Sequence, residues 1–206
     1  MTDTVLVVAG GSAPTRRAVE AIPPGARVVA ADRGADHALA LGLEIDLAIG
    51  DFDSATAAAV EAARKVERHP VDKDATDLEL ALRAALVYEP RRILVVGGIE
   101  GRLDHLLGEL LILGADWLVG VEVDAVLGDA LAHVVRGERG LSGTEGELVS
   151  LFALNGPARG ITTDGLLYPL RGETLVPGSS RGLSNVFTDP EARITLDSGV
   201  LLALRP

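Results

Sequence analysis

The stretch DLAIGDFDS (residues 46–54) carries a short apolar run, residues 47–50, that ends in two carboxylates two residues apart, Asp51 and Asp53. An apolar run without alternation describes a strand buried on both faces, the pattern of a parallel sheet. The acids then fall at the carboxyl end of that strand. On an extended chain positions i and i+2 point to the same side, so Asp51 and Asp53 face one point in space. Two such charges about 4 Å apart repel by roughly 4 kcal/mol at an effective dielectric near 20, and a divalent cation between them reverses the sign. Capping of the following alanine-rich helix by Asp53 or Ser54 accounts for the same residues equally well, but leaves Asp51 unexplained.

Three further runs of the same kind accompany it: VLVVAGG (residues 5–11), RVVAA (27–31) and ILVVGG (93–98). Between and after them, residues 15–21, 35–41, 55–65, 76–87 and 104–113 place apolar residues on a helical spacing. Strand and helix in alternation predict an α/β fold, a doubly wound and mostly parallel sheet over residues 1–135. Ligands of such sheets bind beyond the carboxyl ends of the strands, where Asp32, Asp51 and residues 97–104 all fall. After about Leu127 the helical spacing gives way to short strand-like runs, LVSLFAL (148–154), GITTDGLLYPL (160–170), ETLVPG (173–178), NVFTDP (185–190), ARITLD (192–197) and VLLAL (200–204). Turn clusters such as RGERGLSGTEG (136–146) and PGSSRG (177–182) separate them. Residues 136–206 are therefore expected to form a small all-β domain, a sandwich or partial barrel too small to stand without packing on the first domain or on a partner chain.

The 206 residues are 48% hydrophobic, enough for a real core, and the formal charge of -11 lacks the basic stripe that a nucleic-acid surface needs. An anionic small substrate would have to be met by local Lys, Arg or metal. Glu109, Asp116, Glu122 and Asp124 interrupt the most apolar region, and no basic-then-apolar segment opens the chain, so neither a membrane span nor export is expected. With no cysteine, thiolate metal sites and thiol nucleophiles are excluded, and the composition suits the cytoplasm.

Two more acidic segments follow the first. In VDKDATDLELAL (71–82) Thr76 and Glu79 have capping-box spacing, which starts a helix at Thr76 and sets Asp77 in its first turn. An acid there is favourable against the helix dipole by roughly 0.3–1 kcal/mol without any ligand, and Asp72 and Asp74 can simply be solvated. Lys73 among these acids is either an ion-pair partner or a phosphate contact. In GGIEGRLDHLLGELLIL (97–113) a glycine-rich turn precedes Arg102, Asp104 and His105 at a helix start, an arrangement suited to an anion, with the guanidinium fork matching phosphate oxygens. Taken alone, His105 is more often a capping or packing residue than a base. Neither GxGxxG nor GxxxxGK[ST] occurs, so ordinary dinucleotide and P-loop readings lack support.

Taken together, AADRGADHALALG (30–42), DLAIGDFDS, DKDATDLELAL (72–82), GGIEGRLDH (97–105) and SSRGLSN (179–185) closely resemble, in order and spacing, the thiamine pyrophosphokinase (thiamine diphosphokinase) family over nearly the whole chain. The resemblance implies transfer of the terminal pyrophosphoryl group of ATP to the hydroxyethyl oxygen of thiamine, giving thiamine diphosphate and AMP, with Mg2+. By matching the motifs, it assigns Asp51, Asp53 and Asp77 to metal and catalysis, with Asp32 and Asp74 around them. Lys73, Thr76, Arg102, Asp104 and His105 then hold the ATP phosphates. Magnesium takes only one or two protein carboxylates, so not every acid can be a direct ligand. Tyr168, Ser184 and Asn185 match the vitamin side, where a flat aromatic face suits a pyrimidine or a cationic thiazolium. Family members are homodimers with sites shared between subunits. Two positions depart from the pattern: Arg33 where glycine is frequent, and Glu109 where asparagine is. The rivals are a pyrophosphokinase acting on another alcohol, such as a hydroxymethylpterin, and a thiamine or thiamine diphosphate binder without turnover.

Overall fold

Val5, Leu6, Val7 and Val8 are all buried, as a strand covered on both faces requires, and the same holds for Val28–Ala31 and Ile93–Val96. A computed structural model describes residues 3–99 and 102–206; Glu100 and Gly101, part of the expected glycine-rich turn, lie outside the described residues. The chain divides into two compact units, residues 1–109 with 120–129, and residues 110–119 with 130–206.

The first unit contains β1 (Thr4–Val8), α1 (Arg16–Glu20), β2 (Arg27–Ala31), α2 (Gly34–Ala40), β3 (Leu47–Gly50), α3 (Ala57–Glu61), β4 (Val66–Arg68), α4 (Asp77–Leu86), β5 (Arg92–Gly97), the start of α5 (Leu103–Ile112) and β6 (Glu122–Leu127). These strands lie in the order β6-β5-β1-β2-β3-β4, and each pairs with its neighbour in parallel. The chain moves outward from β1 to β4, then returns to the other side of β1 for β5 and β6. This creates a switch point between β1 and β5, and the doubly wound α/β fold expected from the sequence.

In the first unit α3 and β4 differ from the sequence expectation, and β6 lies outside the expected strands. Helix α3 stops at Glu61 instead of reaching residue 65, because Arg64 donates its N–H to the Ile45 carbonyl and Ala48 donates to the Lys65 carbonyl. Those bonds draw the chain into β4, a three-residue strand whose single apolar residue left no pattern to read. The tertiary pairing overrides the helix propensity of the alanines.

In the second unit β7 (Ala130–Val135), β8 (Glu138–Ser142), β9 (Leu148–Ala153), β10 (Ala158–Asp164), β11 (Arg171–Leu175), β12 (Asn185–Val186), β13 (Glu191–Thr195) and β14 (Leu201–Arg205) form two antiparallel sheets. Their orders are β12-β9-β14-β7 and β11-β10-β13-β8. Val135, Leu151, Ile161, Phe187, Ile194 and Leu201 belong to one buried cluster that draws on strands of both sheets, the core of a sandwich. Strand β8 occupies part of the stretch expected to be a turn cluster. It has one buried apolar residue, Leu141, and owes its extended form to pairing with β13 along its whole length. Among the described residues no helix is long and apolar enough to cross a membrane.

Candidate active site

Strands β2 and β3 are parallel neighbours with Ala31 opposite Ile49, so the residues that follow them emerge side by side. Asp32 leaves β2 with φ 45° and Phe52 follows Asp51 with φ 59°, both in the left-handed region. Asp32, Asp51 and Asp53 each bring a carboxylate oxygen to within 4.8 Å of the others. The Oδ1 of Asp32 is buried without a hydrogen-bond partner, while its Oδ2 accepts from the Ser54 hydroxyl. The backbone N–H of Asp53 donates to Asp51 Oδ1 at 3.1 Å, an Asx turn that folds the loop back on itself. Gly50 makes this packing possible. Its φ is 148°, and a side-chain carbon there would lie 3.0 Å from Asp77 Oδ1 and 3.2 Å from Asp32 Cβ.

Lys73 donates to Asp51 Oδ2 at 2.5 Å and stands 3.1 Å from Asp77 Oδ1, the latter contact an ion pair without hydrogen-bond alignment. The hydrogen bond from Lys73, with the Asp53 N–H and the ammonium charge, outweighs burial and holds the Asp51 carboxyl below its ordinary range. Burial opposes the charge on Lys73, but Asp51 and Asp77 more than offset it, and the ammonium is held firmly protonated. Asp77 goes the other way: burial, with repulsion from Asp51 and Asp32, pushes its carboxyl up despite Lys73. Four carboxylates are thus gathered in one place, and the Lys73 ammonium pairs with only two of them, Asp51 and Asp77. The excess negative charge and the orphaned Asp32 oxygen fit a divalent cation, whose ligands are hard oxygens.

The other sequence candidates differ in exposure and in partners. Asp32 takes the third place in the carboxylate group, and Asp77 sits beside Lys73 across Gly50. Asp74 is exposed. Thr76 caps α4, accepting from the Glu79 N–H at 3.2 Å as its spacing predicts. Arg102 donates to both carboxylate oxygens of Asp104, at 2.6 and 3.2 Å, and this pulls the exposed Asp104 carboxyl down to about 2. His105 is exposed, and burial raises the Glu109 carboxyl in spite of His105 nearby. Arg33 precedes α2 with an exposed side chain that makes no capping bond. Asp36 and Ser54 were not among the expected site residues. Asp32 and Asp51 share a place at strand carboxyl ends that the sequence pattern shows, whereas Asp36 reaches its partner Thr56 across 20 residues and leaves no sequence pattern.

The second unit has a cleft of about 500 Å3 among Leu167, Tyr168, Pro169, Arg181, Leu183 and Asn185. Tyr168 is 63% exposed, yet its backbone is fixed. Buried Asn185 accepts from the Tyr168 N–H at 2.9 Å and donates Nδ2–H to the Tyr168 carbonyl at 2.8 Å. The same Oδ1 accepts from the Val186 N–H, so the amide is largely committed to backbone. Ser184 has φ 56°, and its N–H donates to Ser150 Oγ at 3.1 Å. A larger cleft of about 650 Å3 in the first unit opens near the amino end of β2, among Pro23, Pro24, Arg27, Leu43, Glu44 and Arg64, and contains none of the acids above.

The family description "Thiamin pyrophosphokinase, catalytic domain" matches residues 24–117, and "Thiamin pyrophosphokinase, vitamin B1 binding domain" matches residues 132–201. The chain belongs to the thiamine pyrophosphokinase family. The thiamine pyrophosphokinase of Bacillus subtilis (strain 168) is 27% identical over 188 residues, which is 86% of each chain. The crystal structure of a thiamin pyrophosphokinase family protein from Enterococcus faecalis is 26% identical with a TM-score of 0.80, covering 98% of both chains. The thiamin pyrophosphokinase from Candida albicans shares the fold at 15% identity, with a TM-score of 0.76 over 98% of this chain and 89% of its own. The carboxylate group lies within the segment that matches the family's catalytic domain, and the Tyr168 cleft within the segment that matches its vitamin-binding domain.

Proposed function

We infer that the chain moves the terminal pyrophosphoryl group of ATP to the hydroxyethyl oxygen of thiamine, giving thiamine diphosphate and AMP. The observation that carries this reading is the group Asp32, Asp51 and Asp53, with its buried, unpartnered Asp32 oxygen, inside the segment matched by the family's catalytic domain. In the reaction the thiamine oxygen forms a bond to the β-phosphorus, the bond from that phosphorus to the α–β bridging oxygen breaks, AMP leaves and the hydroxyl proton is released. Little covalent work falls to the protein; it aligns the two oxygens and balances charge.

Asp32, Asp51 and Asp53 would hold Mg2+, with Asp77 close by. The bound ion supplies neutralisation of charge on the phosphate oxygens. Lys73, fixed between Asp51 and Asp77, sets a permanent positive charge beside the phosphates. Arg102 is exposed, and its fork can exchange Asp104 for phosphate oxygens. Thr76 and His105 flank the nucleotide. In the second unit Tyr168 offers its face to the thiamine rings, held in place by Asn185, with Ser184 at the rim.

The active form is a homodimer with shared sites, in the cytoplasm where ATP is available. Support for the dimer comes from α5, on which none of the residues is buried and where Leu103, Leu107 and Leu111, four residues apart, are all exposed. Leu107→Glu is expected to yield monomers in analytical ultracentrifugation; a dimer that persists removes α5 from the contact.

The test is release of AMP from ATP and Mg2+ with and without thiamine, with the product identified by mass. Thiamine-dependent AMP and a product heavier by two phosphates establish the transfer. ADP in place of AMP means single phosphoryl transfer, and tight thiamine binding without turnover means a binding protein.

A further inference from the structure

The loop from Asp51 to Thr56, which carries two of the clustered carboxylates, is tied to the chain around α2 at two points. Ser54 donates its hydroxyl to Asp32. Two residues further on, Thr56 donates its backbone N–H to Asp36 Oδ2 at 2.9 Å and its hydroxyl to Asp36 Oδ1 at 2.5 Å. Asp32 and Asp36 are four residues apart, about one helical turn, and they meet Ser54 and Thr56 as two successive rungs. Thr56 is also the cap of α3, accepting from the Ala59 N–H at 3.3 Å, so the second rung fixes the end of the loop and the start of the helix together.

Helix α2 is a firm base for those rungs. At Gly34 an added side-chain carbon would lie 2.0 Å from the Val8 carbonyl oxygen, so the helix start is seated directly on the end of β1. His37, next to Asp36 and buried, has Nε2 3.1 Å from the Gly11 carbonyl oxygen. Neighbouring residues of one helix therefore hold the acidic loop on one side and the glycine turn after β1 on the other. Burial alone would raise the Asp36 carboxyl, but the two bonds from Thr56 outweigh it and keep it ionised as their acceptor.

We propose that Asp36 is a positioning residue for the cation-binding loop, setting the place of Asp51 and Asp53 through Thr56 without touching the ion itself. The proposal rests on the cation site inferred above but not on the identity of the reaction. Removing an outer partner of metal-binding groups typically weakens metal affinity 10- to 100-fold.

The experiment is a Mn2+ titration of the full chain without nucleotide, free ion being read by electron paramagnetic resonance, with thermal melting of each variant alongside. Asp36→Ala is expected to weaken Mn2+ binding about tenfold or more. Thr56→Val, which loses the hydroxyl but keeps the N–H bond, should weaken it less, and Thr56→Ser should restore it. Thr15→Ala removes a comparable cap from α1, at a hydroxyl that donates to the Gly128 carbonyl just past β6, and should leave the affinity unchanged. Wild-type affinity in folded Asp36→Ala and Thr56→Val overturns the proposal. So does an equal loss in Thr15→Ala, which would reduce the effect to general loosening. A wild-type chain that binds no Mn2+ removes the cation site and the role of Asp36 together, whatever its turnover.

Discussion

The acidic centre of the first unit and the Tyr168 cleft of the second are built on opposite principles. Around Asp51 the site is made of charges that repel one another, held at strand ends by Lys73, by the Asx turn and by the glycine at position 50. Around Tyr168 an exposed ring stands on a backbone whose polar groups are satisfied by one buried amide. The first arrangement stores electrostatic repulsion that a ligand relieves, so its residues should govern turnover. The second presents surface already in place, so its residues should govern affinity.

The sharpest break of that contrast is at the acids. Asp51→Asn or Asp53→Asn should lower kcat on the order of 100-fold or more with the circular dichroism spectrum unchanged. Near-normal rates in both variants would erase the distinction between the two regions. Tyr168→Ala should raise the KM for thiamine by the equivalent of about 1–3 kcal/mol while kcat stays close to wild type, and an unmoved KM would take the ring out of the vitamin site. Asn185→Ala should raise the same KM by a smaller factor. It should also lower the stability in urea by about 1 kcal/mol, because the part-buried N–H groups of Tyr168 and Val186 lose their acceptor. If KM moves with no stability change, Asn185 touches the vitamin itself.

The smallest effect concerns pH. The Asp77 carboxyl is pushed up in the folded state, so its ionised form disfavours folding above that raised pKa, and the penalty vanishes below the unfolded value of about 3.9. Asp77→Asn should therefore melt slightly higher than wild type near neutral pH, the difference closing on acidification. Asp51, whose carboxyl is held down, contributes with the opposite sign. Its stabilisation is complete above the unfolded pKa and is lost as pH falls through the lower folded value. Asp51→Asn should melt lower than wild type at neutral pH. Parallel behaviour of the two variants would mean that Lys73 serves both acids alike.

Much of the first unit was legible because its central strands are continuous apolar runs, Val5–Val8 and Ile93–Val96 among them, that are short, rich in β-branched residues and followed by glycines. Strands β4 and β8 were not, since Val66 and Leu141 are their only apolar residues and pairing with β3 and β13 supplies the rest. The same division holds in the site. Asp51 and Asp53 declare themselves by spacing, and Thr76 by its capping box. The bonds from Thr56 to Asp36 join positions far apart in sequence, and only the packed structure brings them together. Asn185 was expected as a vitamin contact, and its amide is engaged with the backbone of Tyr168, a pairing across 17 residues that sequence spacing does not encode.

Gly50 has a consequence for surveying genomes. Its backbone angle is one that L side chains rarely adopt, and a side-chain carbon there would press on Asp77 and Asp32, so this position reports on the geometry of the centre as well as the acids do. A homologue that retains every carboxylate but carries a side chain at this position must strain its backbone and displace Asp77 or Asp32, so its acids should not be assumed to stand as they do here.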